Sequence, residues 1–150
     1  MAEPLAVTKA PKETGQVLTF FALVLPVVLL PIAAYAVDAT IVAGREAGLQ
    51  AATAQAAEAA AQQLNSAAIR STGALTLDGP AVKLVAARTL IEDEPAATVD
   101  SSTINGVEVT VVTSESVTLP FSVFTRAVTL HATAIARLVA GYDTPSQAAK

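Results

Sequence analysis

No charged side chain occurs anywhere in residues 14–37. Residues 17–37 read VLTFFALVLPVVLLPIAAYAV, an almost wholly apolar run. A helix rises about 1.5 Å per residue, so roughly 20 residues cross the ~30 Å hydrocarbon core of a bilayer. A soluble helix of this length normally carries a polar stripe, and none is present here. The run is therefore expected to be a transmembrane anchor, with Phe20, Phe21, Leu29 and Leu30 among its lipid-facing bulk. Pro26 and Pro31 each remove one backbone donor, which a membrane helix tolerates where neighbouring groups re-satisfy the carbonyl. Tyr35 stands near the exit, where an amphipathic ring suits the interface, and Asp38 marks the return to water.

Lys9 and Lys12 precede the span and Arg45 is the first basic residue after it. That asymmetry favours a cytoplasmic N-terminus. The competing reading is a secretory signal cut after Ala36, since Ala34-Tyr35-Ala36 has the small-x-small pattern. The apolar run is, however, longer than the usual signal core of about 7–15 residues.

The remaining sequence has room for one modest domain. The chain of 150 residues is 53% hydrophobic but only 4% aromatic, and much of the apolar share is Ala and Val. The resulting core is lean. A net charge of −4 with scattered Lys and Arg argues against nucleic acid as a partner. Without cysteine there is no disulfide framework and no thiolate chemistry.

Along the chain the pattern predicts an α+β fold. A cytoplasmic tail over 1–14 leads into the anchor over 15–38, and an extracytoplasmic domain follows over 39–150. Residues 39–70 are Ala-rich and helix-forming, with Leu49, Thr53, Ala56, Ala60 and Leu64 on one thin stripe. Gly44 and Gly48 share a face on which another helix can approach closely, although the spacing also arises by accident. A second helix is expected over 79–93, capped by Asp78, helped by Pro80 and carrying Val82, Val85, Ala86 and Leu90 inward. Glu92, Asp93 and Glu94 then read as a solvated exit loop.

From 97 to 139 the period changes to two, predicting about three antiparallel strands. Asn105-Gly106 suits a type I′ hairpin turn. A last strand places Val128, Leu130, Ala132, Ala134 and Ala136 on one face and His131 on the other. Between them, SVTLPFSVFTR reads as a loop exposing Leu119, Phe121 and Phe124, a candidate partner or bilayer contact. The alternative is that the loop folds back to complete the core.

No catalytic, cofactor-binding or metal-ligating constellation is apparent. His131 is the single His, no serine sits in a nucleophile-elbow context, and no phosphate-cradling glycine motif occurs.

Gly15, the Ala22-Leu23-Val24-Leu25-Pro26 stretch, Val37-Asp38, Arg45 and Leu49-Gln50 before an Ala-rich helix form an ordered set. Over about 50 residues this set resembles the N-terminal region of TadE/TadG-like proteins of the tight-adherence pilus machinery. Members cut by the prepilin peptidase carry Glu at the fifth position after the cleaved Gly. Counted from Gly15 and Gln16, that position here is Phe20, which shifts the likeness toward the uncleaved members. The resemblance implies a single-pass, pseudopilin-like protein of a bacterial cell envelope. Its partners would be the lipid bilayer and other membrane or pilus-assembly proteins, in a homo- or hetero-oligomer. The alternatives are an accessory scaffold subunit of a larger membrane complex, for example an energy-converting assembly, and a secreted binding domain.

Overall fold

A computed structural model describes residues 13–122 and 125–138. It has a long N-terminal helix, two shorter helices and a three-stranded antiparallel sheet, an α+β architecture. Helix α1 runs unbroken from Glu13–Ala61 and contains Pro26 and Pro31. Each proline leaves a carbonyl one turn earlier, those of Ala22 and Val27, without its helical donor.

The Ala-rich helix expected over 39–70 ends early, at Ala61. Leu64 leaves the helical stripe to form an isolated bridge with Leu77, and the Asn65 N–H donates to the Thr76 carbonyl at 2.9 Å. The Asn65 side chain accepts from the Ala68 N–H at 3.0 Å and so starts a separate helix, α2 (Ser66–Thr72). An Asn in this run competes for backbone donors and favours a cap over continuation. Gly73, at φ +71°, closes α2 in the left-handed region that an L side chain resists.

Helix α3 (Gly79–Asp93) starts as the sequence predicts. Asp78 accepts from the Ala81 N–H at 3.3 Å, Pro80 occupies the first turn, and Val82, Ala86 and Leu90 are buried.

Strands β1 (Ala97–Asn105), β2 (Glu108–Thr118) and β3 (Ala127–Arg137) pair in that order. The hairpin turn is displaced by one residue from the expected register. Asn105 pairs with Glu108, leaving Gly106 and Val107 as the central residues. Only Gly106 has positive φ, +64°, which is the type II′ pattern and not I′. A bulge between Val99 and Ser101 inserts Asp100. Before it Ala97 and Val99 point inward; after it Ser102 and Ile104 do. Strand β2 also runs further than expected. Val117 keeps its inward alternation, so the connecting loop begins after Thr118.

The upper half of α1 lies across the inner face of the sheet. Leu49, Ala52, Ala56, Ala57, Ala60 and Ala61 are buried there. They join Val82, Ala86 and Leu90 of α3 and Val109, Val111, Val117, Leu130 and Ala132 of the sheet. Small side chains at three- and four-residue spacing let the helix approach the sheet closely. Within this interface the Thr53 hydroxyl donates to the Leu49 carbonyl at 2.6 Å and meets the Thr113 hydroxyl at 2.6 Å. Both buried hydroxyls are thereby satisfied, which removes a cost of about 1–3 kcal/mol for each group left unpaired.

Candidate functional site

Below Asp38 the large apolar side chains of α1 have no cover. Phe20, Phe21, Leu29, Leu30 and Tyr35 are all more than half exposed, and none of the most apolar stretch is buried. The Phe20 and Phe21 rings meet edge to face, 6.1 Å between centroids. Pro26 and Pro31 are likewise exposed, and Gly15 and Gln16 fall in the first turn of α1. An unburied helix of this length and composition is a candidate single membrane span.

The domain begins where that helix turns polar. Asp38 is only 5% exposed, although it is the first charged residue after the apolar run. Its Oδ1 accepts the Phe121 N–H at 3.3 Å, tying the β2–β3 loop to the exit of the helix. The loop is pinned again where the Leu119 N–H donates to the Arg126 carbonyl at 3.0 Å. Leu119 is buried in the core beside Leu130 and Val117, so it is not a partner-contact residue. The inward alternation of β2 persists past the strand end and carries Leu119 inside. Phe121 does the opposite and stands 56% exposed. Phe124 lies outside the described residues. Ser122, with φ +51°, follows Phe121 and donates its hydroxyl to the Leu119 carbonyl at 2.9 Å. Tyr35, Asp38, Val42, Leu119 and Thr125 line a cleft of about 310 Å³ at this end.

One to two turns above Asp38, Arg45 lies between two carboxylates, 3.6 Å from Glu94 and 3.7 Å from Glu115. Glu94 therefore belongs to an ion cluster and not to a solvated loop. Glu115 is 4% exposed, and its second carboxylate oxygen has no hydrogen-bond partner in the protein. Gly48 makes room for this cluster, since a Cβ there would lie 2.7 Å from the Glu94 carboxylate. A Cβ at Gly44 would meet nothing within 4 Å. The two glycines thus do different things, and Gly48 receives a side chain, not a second helix.

On the outer sheet face, three strands bring together residues far apart in sequence. Ser114, opposite His131 in the pairing, donates to Asp100 at 2.7 Å, and His131 Nδ1 lies 3.8 Å from the other Asp100 oxygen. The order is wrong for nucleophilic catalysis, because the carboxylate and not the imidazole contacts the hydroxyl. His131 and Asp100 are exposed and Ser114 is half-buried, and Asp100 also lines a cleft of about 470 Å³ with Lys83, Val99 and Ser102. Among the described residues no group of three His, Cys, Asp or Glu side chains is placed to hold a metal. Sequence reasoning missed this cluster and the Asp38 clasp because neither leaves a local motif. No protein-family model matches the chain, and no curated protein or solved structure does so either.

Proposed function

We propose that the chain is a non-catalytic, single-pass membrane protein that works by assembly. Its N-terminus is cytoplasmic, and its α+β domain is displayed outside the bacterial cell membrane, as in TadE/TadG-like envelope proteins. The observation that carries this reading is the division of one helix. The lower half of α1 is apolar with no buried residue over 17–37, and the upper half is the spine of the domain core. Such a helix passes movement or position from the membrane directly to the sheet, with no linker to absorb it. The apolar half associates laterally with other membrane helices by close packing, where small residues favour contact.

The test is an intact mass of protein extracted from carbonate-washed membranes. A chain starting at Met1 or Ala2 supports an uncleaved assembly protein. A start at Gln16 makes it a processed, pilin-type subunit despite Phe20. Recovery from the soluble fraction with Val37 first overturns the anchor in favour of a secreted domain. Stoichiometric co-purification with pilus components supports the assembly role, and recovery with a membrane enzyme complex replaces it with a scaffold role.

A further inference from the structure

We infer that the segment just after β2, residues 119–122, is a second membrane contact, with Phe121 seated in the interfacial layer of the bilayer that α1 crosses. This rests on the reading of α1 as a span. Val37 is the last apolar residue of the run and Asp38 follows it by one helical step, about 1.5 Å. A carboxylate at that point marks the level of the headgroups. The same carboxylate holds the Phe121 N–H, so the Phe121 backbone is fixed at that level and beside the helix. Leu119, buried two residues earlier, anchors the loop so that it cannot swing away from α1.

An exposed Phe at this height lies at the edge of the apolar layer that the span would occupy. Aromatic rings concentrate at the membrane–water boundary, and Tyr35, just below Asp38 on α1, is a second ring there. Arg126, exposed at the far end of the loop, adds a cation suited to lipid phosphates. Asp38 meanwhile keeps its own charge out of the hydrocarbon by binding a backbone amide, which also satisfies a loop donor. A single helix leaves a domain free to tilt and swivel. A second contact on one side of that helix fixes the tilt and sets which face of α1 meets its neighbours.

The chain contains no Trp, so one substitution makes a site-specific reporter. Full-length Phe121→Trp protein is reconstituted in phosphatidylcholine vesicles containing phosphatidylglycerol. Emission is then read with nitroxide lipids labelled near the headgroup or deep in the chain, and with aqueous iodide. Leu29→Trp marks the span and Asn105→Trp marks the far end of the sheet, while Pro120→Trp repeats the measurement one residue away. The expected result is blue-shifted emission at position 121, most of it lost to the shallow nitroxide and little to iodide. Leu29→Trp should be quenched by the deep label and Asn105→Trp only by iodide. If position 29 behaves so but 121 and 120 quench only with iodide, the loop faces water and the inference falls while the span stands. Protection at 121 from both iodide and lipid labels means a protein surface covers it, which also overturns the inference. Loss of deep quenching at position 29 removes the span reading itself.

Discussion

The two halves of α1 differ in how they use apolar residues. Below Asp38 the helix carries Leu, Val, Ile and Phe, and all of them but the half-buried Val24 are exposed. Above it, the face turned inward is Leu49, Thr53 and a run of alanines, fully or almost fully buried. As a membrane span the lower half would meet lipid chains, which conform to any outline, so bulk would matter there more than shape. The upper half must approach a sheet, where each extra methylene displaces a neighbour, and alanine permits the close approach. The cost is area. At about 25 cal/mol per Å² an alanine contributes little, so the few bulky buried residues carry the domain.

The largest test of this contrast is Leu29→Arg with Leu30→Arg. Each charge at mid-span costs about 2.5–3.5 kcal/mol on the insertion scale, and the double variant should lose membrane retention in carbonate extraction. Unchanged retention would sink the anchor reading. A smaller effect separates the halves within one chemistry. Leu49→Ala should lower domain stability by about 2–5 kcal/mol, read by thermal unfolding in detergent, because it empties a fully buried site. Leu25→Ala, on the exposed half, should leave that transition where it is. Equal shifts from both would mean that the halves are not distinct.

The finest test uses the two glycines. Gly44→Ala enters open space and should stabilise the helix by about 0.5–1 kcal/mol. Gly48→Ala should gain less or nothing, because its Cβ pushes the Glu94 carboxylate and disturbs the Arg45 pair. Denaturant midpoints in the same detergent check both, and equal gains would show that the cluster around Arg45 is slack.

Much of the framework was legible from sequence because its signals are local. An uncharged run in residues 14–37 forecast the exposed helix, Asp78 and Pro80 marked the start of α3, and strict alternation in β3 marked its inner face. Local signals also misled where two of them competed. Ala-rich propensity carried the expected first helix past Asn65, but α1 stops at Ala61 and the Asn65 side chain caps the separate α2. Asn105-Gly106 suggested a turn centred on both residues, but strand pairing placed Asn105 in the ladder.

The candidate site was harder to read. The segment around Leu119 and Phe121 stood out as apolar, yet its composition does not say which residue turns inward. Burial of Leu119 follows from the parity of β2, and β2's extent follows from pairing with both neighbours. The sequence by itself determined an apolar helix, the element types and most of the inward faces, because helix and strand periods and end caps depend on residues a few positions apart. Only the tertiary structure decided that Arg45 stands between Glu94 and Glu115, that Asp100 bulges toward Ser114 and His131, and that Asp38 holds Phe121 across 83 residues. Those contacts exist only after α1, the sheet and the loop have packed. Charge and hydrogen-bond partners drawn from distant segments are set by that packing, not by neighbours in the chain.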